Sequence, residues 1–207
     1  MHRFFFATKD TFINSGSNVL TGEDFKDKNT GQDEILELKK VFWNRDFHYP
    51  TRVLIQFDSD EIENFISSSN IGSTSYSASL RLYETKGTSG LSETYKIAAY
   101  PVSESWNEGV GKESDEPKTT DGVSWKNRQY PAGGAEVAWA TAGGSYIASD
   151  EVTQSFSAES PDINMDVTSI AKKWFTDTNN NYGFLLRFSG SQETDSTTFG
   201  QLKFFSS

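Results

Sequence analysis

Residues 51–58 read TRVLIQFD. Val53, Leu54 and Ile55 follow one another without a polar interruption, and β-branched residues suit strands. A short continuous apolar run predicts a central strand covered on both faces. Residues 77–84, SASLRLYE, follow another rule. Ala78, Leu80, Leu82 and Glu84 share one face, and Ser79, Arg81 and Tyr83 share the other. That period of two belongs to a half-buried strand.

Other short apolar runs lie between clusters of Gly, Ser, Asn and Asp, which predicts an all-β domain. Further strands are expected near 35–43, 95–102, 123–125, 137–140, 151–157, 162–166, 183–189 and 201–206. The opening stretch FFFATKDTFI (4–13) predicts strands over 3–8 and 11–14, separated by a polar break. One short α-helix is expected near 167–176, in MDVTSIAKKWF (165–175). There Asp166 or Thr168 can cap the first free amides. Val167, Ile170, Ala171 and Trp174 fall on one helical face, and Lys172 and Lys173 sit near the negative end of the dipole. A second helical turn fits SDEIENFI (59–66), with Ile62, Phe65 and Ile66 to dock. Two long segments, 13–34 and 107–122, read as irregular loops. Such loops in a compact domain are usually functional or disordered. No repeat or linker divides the 207 residues, so one domain over 1–207 is expected.

The formal net charge of −10 repels phosphates and argues against nucleic acid as a partner. Lys39-Lys40 and Lys172-Lys173 read as solvated faces. The run at Phe4–Ala7 is too short for a secretory signal, and no segment reaches the length of a membrane span. The chain is therefore expected to be soluble, without an export address. It contains no cysteine, which removes disulfides and thiolate metal sites.

Catalytic chemistry has little material. The only histidines are His2 and His48, and the plainer reading of His48, in RDFHYPTR, is a packing or surface residue. A glycosidase-like carboxylate pair has no distinctive context. DTNNNYGFLLRF (177–188) spaces Asp177, Asn179 and Asn181 like half of an EF-hand. Its twelfth position is Phe188, where a bidentate Glu is required, so a helix stop and turn fits better. The chain is expected not to be an enzyme. Of its five tryptophans, Trp174 belongs to the helix stripe. Trp106 and Trp125 bracket the acidic loop, and with Tyr130 they are the candidates for stacking a glycan. Asn107, Glu108, Lys126 and Asn127 stand nearby to bond it. Core packing is the commoner fate of tryptophan.

The order of motifs is itself informative: ATKDTFI, TRVLIQFD, SASLRLYE, YPVSESWNEG, GVSWKNR, INMDVTSIAKKWF, NYGFLLRF and FGQLKFFSS. Together they resemble the DNRLRE domains, non-catalytic jelly-roll modules similar to carbohydrate-binding modules. The name-giving polar motif is missing after Phe205-Ser206-Ser207. Either the closing strand lacks its extension or the polypeptide is the N-terminal part of a longer protein. Residues 100–128, 154–175 and 195–207 are similar to virion structural proteins of large tailed bacteriophages. The resemblance implies a jelly-roll β-sandwich in a tail, baseplate or fibre, assembled in the host bacterial cytoplasm. Its partners would be other virion proteins and further copies of itself. The alternative is a module that binds a cell-surface polysaccharide. The resemblance also makes 4–13 the first strand region, with Phe4 and Phe6 inward and Asp10-Thr11 at a strand edge. Asp10 could then help hold a structural calcium, although capping of backbone amides is the plainer role.

Overall fold

A computed structural model describes the chain except residues 1, 18–20, 44–46, 73–74, 86–93, 132, 158, 177–179 and 198 and the side chains of 41–43 and 47–48. Asp177 and Asn179 of the EF-hand-like run and the His48 side chain therefore lie outside the described residues, whereas Asn181 donates to Phe57 O and Ser59 Oγ and accepts from the Gly183 N–H. In chain order the elements are β1 (Ala7–Asn14), β2 (Ile35–Trp43), β3 (Phe47–Phe57), α1 (Ser59–Ser68), β4 (Ser79–Leu82), β5 (Lys96–Pro101), β6 (Asn127–Gln129), β7 (Val137–Ala138), β8 (Val152–Ser155), β9 (Ile163–Asp166), α2 (Thr168–Trp174), β10 (Phe184–Phe188) and β11 (Gly200–Phe205).

The protein is mostly antiparallel β-structure with two short α-helices, α2 where the Val167–Trp174 stripe predicts it and α1 over the expected helical turn at 59–66. The main sheet runs β11-β2-β3-β10-β5-β8, and β1 also pairs with β3. Strand β3 changes partners along its length. Pro50 is paired with Lys40 of β2, whereas Thr51 is paired with Asn14 of β1. The Thr51 hydroxyl fills the corner, donating to Glu37 O and accepting from the Lys39 N–H at 2.8 Å. A strand that serves two sheet segments curls the whole.

The TRVLIQFD stretch is covered on both faces, as its pattern requires. Val53 and Ile55 enter one core, packed with Leu80, Leu82, Ile163, Met165, Ile170 and Trp174 from the β4/β9 pair and α2. Leu54 enters the other, under a cover that includes Trp106, Val123 and Trp139. Phe57, at the end of the strand, is only partly buried. Trp174 docks α2 by packing its ring on Phe184, with centroids 4.7 Å apart. Asp166 supplies the cap, accepting from the Thr168 N–H at 2.9 Å. The Asp58 carboxylate caps α1 through the N–H groups of Asp60 and Glu61.

The curl almost closes. Beyond β4, Glu84 bridges to Phe204, which carries the β4/β9 pair onto the β11 side of the sheet. At the far side, the Gln154 amide of β8 donates to Asp162 O at 2.8 Å and accepts from the Asn164 N–H at 2.7 Å. One side-chain amide thus substitutes for a rung of ladder between β8 and β9. The open edge of β1 is blocked similarly. Its Asp10 N–H donates to Glu108 Oε1 at 2.8 Å, and Thr30 donates its hydroxyl to Phe12 O. Edges occupied in this way do not template pairing with other chains.

Several expectations are corrected. The polar break is absent, and residues 3–6 of the first predicted strand form none. Thr8, Lys9 and Asp10 continue the extended chain past a bulge, so 7–14 form one strand, β1. Asp10 and Thr11 lie inside it rather than at its end. Phe4 and Phe6 point outward, while Phe5 between them packs edge-on against Phe65 of α1 at 5.7 Å. Residues 123–125 form no strand; the pairing falls at β6 instead. Lys39-Lys40 is not a solvated face. Lys40 is buried, donating to Gln192 O at 2.8 Å and to Asp195 O at 2.6 Å and Oδ1 at 3.2 Å. Lys39 pairs with Glu37 and Glu113. Lys173 pairs with Asp150.

Candidate functional site

The two long loops are built against each other. Asn29 is buried at their crossing, and its amide is fully used. It donates to Glu108 O at 2.6 Å and Val123 O at 2.8 Å, and accepts from the N–H groups of Gly31 at 3.1 Å and Gly111 at 2.8 Å. Such an amide makes at most four good bonds, and all four are present. Gly109 and Gly122 pair beside it with positive φ of 90° and 114°. A Cβ on Gly122 would stand 2.3 Å from the Gly109 Cα, so backbone approaches backbone as only glycine permits.

This crossing disperses the expected aromatic platform. Trp106 is 1% exposed, and its indole N–H donates to Tyr182 O at 2.8 Å. It offers no open face to a sugar. Trp125 is half-buried, with the Arg52 guanidinium 4.8 Å from its ring centre. Tyr130 is half-buried too, and its carbonyl accepts from the Gly122 N–H. Asn107 and Lys126 are exposed, whereas Asn127 is buried.

Asp10 is engaged by the closing residues. One oxygen accepts from the Ser206 hydroxyl at 2.6 Å and the other from the Ser207 N–H at 2.7 Å. Glu108 is the neighbouring carboxylate. Burial pushes its carboxyl above the ordinary range, and the charge of Asp10 adds to the effect. Among the described residues, no group of three His, Cys, Asp or Glu is placed to hold a metal ion.

A buried ion cluster lies under the second core. Arg52 donates to both oxygens of Glu193 at 2.8 Å, and to Gly143 O at 2.7 Å. Arg187 reaches the same carboxylate at 2.6 Å and donates to the Tyr146 hydroxyl at 2.6 Å. Nearby, Tyr100 donates to Glu151 at 2.7 Å; burial and that carboxylate push its phenol upward. Every bond in this group joins one part of the chain to another, which makes it a brace.

The surface carries a different feature. Phe4 is 65% exposed and Phe6 79%; Tyr83 is 58% exposed and Phe205 60%. Tyr83 and Phe205 are cross-strand neighbours, the Phe205 N–H donating to Tyr83 O. The alternation in SASLRLYE already turns Tyr83 outward with Arg81. The same rule in the closing strand sends Phe204 in and Phe205 out. Burying exposed aromatic rings is what protein interfaces commonly do. No family model matches the chain, and no curated protein matches it.

Proposed function

We propose that this chain is a non-catalytic structural module of a bacteriophage virion, a jelly-roll β-sandwich that acts through protein–protein interfaces. The observation that carries the reading is the division of labour among its side chains. Asn29, Asp10, Arg52, Arg187 and Glu193 hold the chain to itself, while Tyr83, Phe205, Phe4 and Phe6 are turned to solvent. Buried groups locked in fixed bonds stiffen a scaffold, and outward rings provide docking area. The main sheet covered by a smaller β4/β9 layer supports the sandwich description. The motif order supports the virion setting. The glycan reading loses support, since Trp106 is enclosed. Mass spectrometry of purified particles tests the proposal. A structural component is present at a constant copy number per particle across preparations. Absence from particles, or a content that falls away with further purification, refutes it.

A further inference from the structure

We infer that Glu84 makes the joint between the β4/β9 layer and β11 pH-sensitive, closed while its carboxyl carries a proton and loosened once it is ionised. The inference stands apart from the virion reading. The joint is short. Glu84 bridges to Phe204, the Thr85 N–H donates to Lys203 O at 2.8 Å, and the Phe205 N–H donates to Tyr83 O at 3.3 Å. By contrast, β11 is tied to β2 along its whole length, from Gly200 to Phe205. On this side the β4/β9 pair meets the main sheet through few bonds, and their strength decides whether the curl stays shut.

Glu84 stands at the centre of that joint in surroundings that do not suit a charge. The alternation begun in β4 turns it to the core face with Leu80 and Leu82, opposite Phe204, which is fully buried. Among the described residues its Oε1, also buried, has no hydrogen-bond partner. The neighbouring charged group is another carboxylate. Asp162 Oδ1 accepts from the Glu84 N–H at 2.8 Å, while Asp162 O accepts from Gln154 of β8. Of the described cations on the two strands, Lys203 of β11 pairs with Glu37 at 2.7 Å, and Arg81 of β4 donates to Asn164 at 3.3 Å. Burial, with the charge of Asp162 added, pushes the Glu84 carboxyl above the ordinary range. A proton removes the charge and turns a stranded acceptor into an O–H donor beside an acceptor-only group. The closed joint therefore holds the proton more tightly than the open one. Its stability is fully present below the ordinary glutamate pKa and is lost as pH rises through the raised value. Tyr83 and Phe205 flank the Glu84–Phe204 bridge, so the joint also sets whether these two exposed rings stay side by side.

Amide hydrogen exchange read by NMR, with the intrinsic pH dependence of exchange divided out, tests this. In the wild type, protection at the Thr85 and Phe205 amides falls as pH rises through the raised value, by roughly tenfold for each pKa unit that separates the closed joint from the open one. Glu84→Gln keeps the shape without the charge, and its protection at both amides stays level. Asp162→Asn keeps an acceptor for the Glu84 N–H but removes the neighbouring charge, and the fall becomes smaller. A role in packing alone would shift protection equally at every pH. Level protection in the wild type, or a fall that persists in Glu84→Gln, overturns the inference. The carboxyl carbon resonance of Glu84 gives a second readout that needs no variant. Titration above the range of the exposed glutamates supports the inference, and titration within that range overturns it.

Discussion

Replacing Glu193 by glutamine should destabilise this protein more than removing Arg52. Both guanidiniums, of Arg52 and Arg187, bond the Glu193 carboxylate, whose side chain is 3% exposed. Glu193→Gln keeps the shape but leaves two nearly buried cations facing each other without a counter-charge. Breaking a buried ion pair from one side costs about 3–5 kcal/mol. Arg52→Met is milder, because the carboxylate keeps Arg187. The losses are then the bonds to Glu193 and Gly143 O and the cover over Trp125, together about 2–3 kcal/mol. For a chain of this size each kcal/mol moves the melting midpoint by about 2–4 °C. Glu193→Gln should therefore lower Tm by roughly 6–20 °C, and Arg52→Met by about 4–12 °C. Circular dichroism gives the midpoints. Tryptophan fluorescence should respond to Arg52→Met, since Trp125 loses its cation. Equal midpoints for the two variants, or a larger loss for Arg52→Met, would refute the argument that Glu193 neutralises both arginines.

Other perturbations follow from the same bonds. Trp174→Ala should cost about 3–5 kcal/mol, because the ring fills the space between α2 and Phe184; an unchanged urea midpoint would contradict the docking of α2. Gln154→Leu should cost about 1–3 kcal/mol and speed amide exchange at Asn164, whose N–H loses its acceptor; exchange at wild-type rate would show that the amide clasp does not close the sheet. Glu108 has a raised folded pKa, so the unfolded chain releases its proton first as pH rises. Its contribution to stability is therefore largest below the ordinary glutamate pKa and falls as pH climbs through the folded value. Glu108→Gln keeps an acceptor for the Asp10 N–H and should gain on wild type as pH rises above the ordinary glutamate pKa. A Tm difference independent of pH would contradict that sign.

Local pattern carried the strands further than it carried their surroundings. Residues 51–58 and 77–84 declare their faces because a strand side chain can point only two ways. The outward turn of Tyr83 and Phe205 was legible for the same reason. Lys40 was not, since its burial depends on carbonyls up to 155 residues away. The loops 13–34 and 107–122 look irregular because their order comes from bonds between them, the buried Asn29 amide above all, joined by pairs such as Lys112–Glu34 and Lys118–Asp27. Trp106 stands in a polar, acidic stretch that suggests exposure; the acceptor that encloses it, Tyr182 O, is distant in sequence. Phe4 and Phe6 misled in the opposite direction. A run of three phenylalanines suggests a core strand, yet Phe4 and Phe6 are exposed and Phe5 packs on Phe65 of α1.

We propose that this chain assembles with protein through its outward aromatic faces. Electron cryo-microscopy of the purified particle tests it most directly. The expected result is density for this chain with Tyr83 and Phe205 covered by another polypeptide. The same density with both rings facing solvent, or a particle that lacks this chain, would contradict it.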